Sequence, residues 1–338
     1  MQESKTSDKV ESDNVDNSES SEYDSDSGQT EVKNKQKKTN DKKLPGRPRK
    51  IPIKEPNPRN GIVAAPKDES NIIEFLYDKP LIFKKLWNFF KLMAVDKIQI
   101  IFRFKDIILW CEDHHKKSKI RIKINAPSIN HYFCAEEFDI GIKCKNLELI
   151  MMSIDKSYNS IVLLSKIGQS QKDIRIILKN EIEIDESHRI ELIGEYNKMN
   201  HEQMFLDNEY KIKFELPCKY FKKMISDIRL FSDQITIRQD RITEPLIFEY
   251  VKSDKKIKSY HIVRNNSNIK FSSNLKNDET FRMSFNIDYV RPISAAILSE
   301  NIIIYAHEDK PLVFTIALDK SAIEIKILTE IIDNRSSV

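Results

Sequence analysis

Glycine is scarce in this chain, with six residues in 338. Neither GxGxxG nor GxxxxGKS/T occurs, so the glycine turns that cradle phosphates in the common nucleotide-binding folds are missing. Long apolar runs are missing too. No window approaches about 18 uninterrupted apolar residues, and no segment reads as a transmembrane helix. The N-terminus opens on charged, Ser-rich sequence rather than the apolar stretch of a secretory signal. Cysteine is limited to Cys111, Cys134, Cys144 and Cys218, which without an export signal read as reduced, mostly buried thiols. The length predicts roughly two domains. The 40% hydrophobic share supports a core in most of the chain but not in all of it.

What is present is charge, and it is segregated. The formal total of +4 hides a first stretch, residues 1–30, with nine acids and two lysines, and a second, residues 31–55, with ten bases and three acids. The acidic stretch has too few large apolar side chains to offset chain entropy, which predicts disorder. The basic stretch contains Lys42-Lys43-Leu44-Pro45-Gly46-Arg47-Pro48-Arg49-Lys50. Its Gly-Arg-Pro core resembles an AT-hook, which lays guanidinium groups into the narrow minor groove of A·T-rich DNA. Arg47, Arg49 and Lys50 would make those contacts. Pro45 stands where the usual core has arginine, and a nuclear-import signal or a general polyanion-binding arm has the same composition. Prolines 52, 56, 58 and 66 continue an extended linker to about residue 70.

From residue 71 the sequence becomes dense in Ile, Phe and Leu, and it repeats. Phe83-Lys84-Lys85-Leu86 precedes Asp96-Lys97-Ile98-Gln99-Ile100 by a helix-length gap, and Phe221-Lys222-Lys223-Met224 precedes Asp233-Gln234-Ile235-Thr236-Ile237 by nearly the same gap. Asn159-Ser160-Ile161-Val162-Leu163 is matched by Asn301-Ile302-Ile303-Ile304-Tyr305. A period of roughly 140 residues marks a domain duplication rather than a solenoid.

In the first helix Ile82, Leu86, Phe89 and Met93 make one apolar stripe, with Lys84, Asn88 and Lys91 on the opposite face at about 100° per residue. Its counterpart buries Phe221, Met224, Ile225 and Ile228 and turns Lys219 and Lys223 outward, flanked by Lys222 and Arg229. A weaker helix follows in each unit. The first is striped by Leu147, Ile150, Met151 and Ile154. In the second, over residues 288–298, Pro292 predicts a short helix with the proline in its first turn. Strands are predicted over 98–110, 119–124, 138–142, 161–167, 174–179, 211–216, 235–239, 246–251, 259–263 and 283–287. The pattern defines an α+β fold, helices on one face of antiparallel sheets.

This order of helices and strands, given twice, resembles the proliferating cell nuclear antigen-like sliding clamps, and among them the clamp-like proteins of large cytoplasmic DNA viruses. Lys79-Pro80-Leu81-Ile82-Phe83-Lys84-Lys85-Leu86, Asn130-His131-Tyr132-Phe133-Cys134, Phe221-Lys222-Lys223-Met224 and Lys310-Pro311-Leu312-Val313-Phe314 carry the likeness. The resemblance implies a DNA-clamp fold with this organisation: tail 1–70, clamp domains 71–193 and 210–332, a connecting loop 194–209, and a C-terminal tail 333–338. It implies a homotrimeric ring around double-stranded DNA that acts as a DNA polymerase processivity factor without cofactor or catalysis. Partners would be a DNA polymerase, other proteins with a clamp-binding motif and a clamp loader; no membrane is involved. The setting would be a viral replication compartment in the host cytoplasm, or the nucleus. DNA-facing positions map onto Lys84, Lys85, Lys91, Lys219, Lys222, Lys223, Arg229 and Arg291. Met204, Phe205, Leu206 and Pro311 map onto the partner pocket, and edge strands over 173–179 and 257–263 would close the ring. The other function class, a clamp-like transcription or scaffold factor that does not close into a ring, shares the fold and the tail.

Two constellations point elsewhere. Cys111, His114, His131 and Cys134 form CxxH…HxxC, a zinc-like spacing, but the gap puts the pairs on separate strands. Glu112-Asp113-His114-His115 is the one dense run of acids and imidazoles. It reads as a charged hairpin end, since no second acidic motif accompanies it.

Overall fold

The computed structural model describes residues 67–166, 173–180, 186–193, 210–251, 257–262 and 269–332. The acidic and basic tail with its AT-hook-like segment, the loop residues Met204, Phe205 and Leu206, and the last six residues lie outside these.

The first half runs β1 (Asn71–Tyr77), α1 (Pro80–Leu92), β2 (Lys97–Phe102), β3 (Asp106–Glu112), β4 (Ser118–Asn125), β5 (His131–Cys134), β6 (Phe138–Lys143), α2 (Cys144–Ser153), β7 (Tyr158–Lys166), β8 (Asp173–Asn180) and β9 (Glu186–Glu191). The second half repeats that order: β10 (Ile212–Pro217), α3 (Cys218–Arg229), β11 (Gln234–Gln239), β12 (Leu246–Val251), β13 (Ile257–Ile262), β14 (Lys270–Ser273), β15 (Phe281–Asn286), α4 (Ile287–Ala296), β16 (Asn301–His307), β17 (Lys310–Leu318) and β18 (Ile323–Thr329). Strand for strand the halves are equivalent, as a duplication requires.

The sheets show how the halves join. A five-stranded sheet, β5-β1-β7-β8-β9, belongs to the first half and a four-stranded one, β13-β12-β11-β15, to the second. Their counterparts fuse into a single nine-stranded sheet, β14-β10-β16-β17-β18-β4-β3-β2-β6. The seam is β18 against β4, antiparallel, from Ile323 opposite Ile124 to Thr329 opposite Ser118. The four described helices pack in one row: α2 against α1, α1 against α4, and α4 against α3. One hydrophobic core runs beneath them through both halves. It holds Phe89, Phe102, Phe214, Phe221, Phe248, Phe281, Phe285 and Phe314, all less than 2% exposed. Each such side chain contributes about 1.5–3 kcal/mol by leaving water.

A second link ties the halves at the start of α1. Tyr77 donates its hydroxyl hydrogen bond to Asp319, and Lys79 Nζ lies 2.6 Å from Asp319 Oδ1. Asp319, Lys320 and Ser321 turn the chain between β17 and β18 with φ of 45°, 52° and 73°, a conformation that costs residues with a Cβ. Burial and the Asp319 carboxylate push the Tyr77 hydroxyl far above its ordinary pKa.

Three expectations are corrected. The segment 98–110 is two strands, β2 and β3, turning where Arg103 N–H bonds Asp106 O at 2.9 Å. Pro292 sits sixth in the ten-residue α4, not in its first turn; the helix continues past it at the cost of one backbone hydrogen bond. The expected edge at 173–179 is β8, which is paired on both sides by β7 and β9. The edge is β9.

Candidate nucleic-acid interface

The face of the helix row turned away from the sheets is built by equivalent positions. On α1 it is Leu81, Lys85, Asn88 and Leu92; on α3 it is Lys219, Lys223, Ser226 and Leu230, all exposed. Lys222 and Arg229 flank the α3 stripe, and Arg291 is exposed on α4. The one acid of α3, Asp227, accepts a hydrogen bond from the Tyr260 hydroxyl at 3.1 Å. α3 thus brings four cations to one surface, and α1 brings one, Lys85.

The other two α1 lysines are turned sideways, toward α2. Lys84 Nζ donates to the carbonyl oxygens of Met152 (3.1 Å) and Ile154 (2.6 Å), so it satisfies the orphan carbonyls at the α2 C-terminus. Lys91 Nζ bonds Glu148 Oε1 at 2.9 Å. The expected α1 stripe is also wider than Ile82, Leu86, Phe89 and Met93, because Trp87 and Phe90 are buried with it. That extra width rolls Lys84 and Lys91 off the centre of the outward face.

The α2 surface is apolar as well as poor in bases. Leu149 is 81% exposed and Met152 56%. Leu230 on α3 is 77% exposed, and Phe231, Val251 and Ile257 are exposed nearby. The two groups flank two of the terminal strands, β9 and β13. α2 packs beside β9, where Asn146 Nδ2 bonds Glu191 O at 3.1 Å. Phe231 stacks on Tyr250 and Tyr250 on Tyr260, beside β13.

On the opposite face of the nine-stranded sheet Ile108, Trp110, Val313 and Leu328 are buried although they stand outside the core. Arg121 lies 5.8 Å over the Trp110 ring. Pro311 is exposed on β17. Beside it Lys310 sits 5.9 Å over Tyr210, Tyr210 packs on Tyr305 at 5.6 Å, and Lys213 lies 5.4 Å over Tyr305. Burial pushes the Tyr210 hydroxyl up to about 12. Sequence reasoning missed this cluster, whose residues are far apart in the chain; only the alternation of β10 and β16 hinted at a shared face.

The zinc-like residues do not converge. Cys111 is on β3 in the nine-stranded sheet, whereas His131 and Cys134 are on β5 in the five-stranded one. His114 is exposed and its Nδ1 lies 3.0 Å from Asp96 Oδ2; His131 Nε2 lies 2.7 Å from Glu74 Oε2. Among the described residues, no group of three or more His, Cys, Asp or Glu could hold a metal ion. All four cysteines are free and buried, and burial raises the thiols, Cys134 and Cys144 to about 12.

Two units of β-α-β₅-α-β₃ order, their four helices in one row and their sheets on the other side, define a sliding-clamp fold. The chain has the proliferating cell nuclear antigen-like form of it, and clamps of this kind are non-catalytic. The crystal structure of PCNA from Thermococcus kodakaraensis superposes with a TM-score of 0.65 at 14% identity, covering 77% of this chain and 100% of that one. An uncharacterized protein shared by isolates of African swine fever virus is 25% identical over 285 residues, 81% of this chain and 93% of that protein. The DNA polymerase sliding clamp of Methanothermobacter thermautotrophicus is 24% identical over 236 residues, 69% of this chain and 87% of that protein. A family model described as the Dof, BCAP and BANK (DBB) motif matches residues 161–243. That stretch starts within β7 and ends beyond β11, so it corresponds to neither repeated half.

Proposed function

We propose that the chain is one subunit of a ring that encircles duplex DNA and serves as a processivity factor for a DNA polymerase, with residues 71–193 and 210–332 as its two clamp domains. The observation that carries this reading is the fate of the equivalent strands. β18 and β4 pair within the chain, while their counterparts β9 and β13 each pair on one side only among the described strands. The same pairing made between chains, β9 on β13, is heterologous and closes into a ring if the rotation allows. The exposed Leu149 and Met152 at one edge and Leu230, Phe231, Val251 and Ile257 at the other give that contact apolar area. Three subunits of four described helices each would give the ring a twelve-helix inner wall.

On that wall Lys85, Lys219, Lys222, Lys223, Arg229 and Arg291 would meet phosphates through screened contacts that carry no base information. Lys84 and Lys91 contribute field rather than contact, because α2 engages both. Pro311, with Met204, Phe205 and Leu206 of the connecting loop, is proposed to receive the aromatic anchors of partner motifs. Arg47, Arg49 and Lys50 are proposed to hold DNA in the minor groove. The likeness to a virus protein favours a replication compartment of a large DNA virus in host cytoplasm. Light scattering tests the ring: a mass near three times 39.7 kDa supports it. A monomer that still binds DNA supports the transcription or scaffold reading instead.

A further inference from the structure

Between the end of α1 and the start of α2 lies an open hollow of about 700 Å³, and Lys91, Lys97, Lys143 and Lys145 line it with His114. Lys97 and Lys143 stand directly opposite each other in the β2–β6 ladder. Like charges in that position destabilise a sheet. Lys143 is also the N-cap residue of α2, Lys145 lies in its first turn, and that turn contains no acid. The positive end of the helix dipole therefore adds to the same field. The hollow holds two acids: Glu148 is bonded to Lys91, and Asp96 lies beside His114, so one carboxylate is left against Lys97, Lys143 and Lys145. Lys97, Lys143 and Lys145 are exposed and have no ion pair among the described residues.

The second half is an internal control. At the equivalent places Gln234 faces Asn286, Asn286 caps α4 by accepting from Asp288 N–H at 2.8 Å, and Asp288 supplies the first-turn acid. The same fold thus satisfies these positions in the ordinary way when nothing else is asked of them. In the first half, cations crowd a concave site at a cost to stability, and an anion removes that cost.

We propose that this hollow is a second phosphate-binding site, taking the sugar–phosphate backbone of nucleic acid where it leaves the helix row. The proposal rests on the clamp reading. Its four longer cations are all lysines, point charges that follow a phosphodiester chain without the bidentate geometry arginine brings to carboxylates. Lys91 also belongs to α1, so the hollow is continuous with the helix row.

The test replaces the three lysines by neutral side chains, K97Q/K143N/K145Q, and follows binding of a fluorescent duplex across a salt series. Each lost phosphate contact lowers the slope of log K against log salt by about 0.9. The slope is expected to fall by about 2.7 with the triple variant and by about 0.9 with K145Q alone, an exposed helix position that leaves folding intact. The DNA-free triple variant is expected to melt higher than the parent. An unchanged slope in the triple variant, with the parent retained on circular DNA, overturns the hollow and leaves the clamp standing. Loss of poly-glutamate binding with the DNA slope unchanged assigns the site to an acidic polypeptide and overturns it too. A parent that binds no duplex at all overturns both readings.

Discussion

Lys84 shows how a residue's type can be read correctly and its task missed. The sequence places it among outward cations, but its ammonium group caps α2 through the Met152 and Ile154 carbonyls. Replacing it with Met keeps the stem and removes the cap. That change is expected to cost about 1 kcal/mol and to leave the salt slope of DNA binding unaltered, whereas Lys223→Met should lower the slope by about 0.9 at little cost to melting temperature. Glu74 is a buried carboxylate that no periodicity could announce. Burial pushes its pKa up, but hydrogen bonds from Lys67 N–H, the Asn71 amide, Asp68 N–H and His131 outweigh that and hold it below the usual range. A carboxylate lowered in the folded state stabilises above its unfolded pKa, and that contribution is lost as pH falls through the folded value. Glu74→Gln is therefore expected to lower the melting temperature at neutral pH and to flatten its fall below about pH 4.5. A parallel fall in both proteins would remove Glu74 from the account.

Among the elements, the two helices with a strong apolar stripe were the most legible, and short or fully buried strands the least. α1 and α3 carry clear stripes and a shared Phe-Lys-Lys motif, and both lie where the repeat puts them. β1 reads NIIEFLY and is buried on nearly every residue, so it shows no alternation. β5 and β14 have four residues each, and β9 buries only Ile190. β18 alternates from Ile323 to Ile327 and then buries Leu328 and Thr329 as well. The consequence falls on the site: because β9 carries no sequence signal, the sequence points to β8, not β9, as the edge. Residues exposed on an edge tolerate charge in an isolated subunit but not in an interface. Ile257→Lys is expected to give a monomer whose melting temperature is close to that of the parent's dissociated form. On α2, Leu149→Lys with Met152→Lys puts charge into the other side of that contact and is likewise expected to give a monomer; a variant that keeps the parent's mass by light scattering would remove α2 from the contact.

For the whole molecule, the formal charge of +4 means little until it is located. The duplication could be read from two motif pairs, but the way the halves join could not, because strand partners distant in sequence leave no local mark. Only the structure shows that β18 closes on β4 while the equivalent β9 and β13 each pair on one side only among the described strands. Topological linkage to DNA would follow from the proposed pairing of β9 with β13 between chains. The direct measurement is retention of the assembled protein on closed circular DNA, compared with the same DNA after a single cut, at a salt concentration that screens surface contacts. Retention on the circle with loss from the linear form is the expected result, and it should vanish with Ile257→Lys. Equal loss from both forms would contradict the ring.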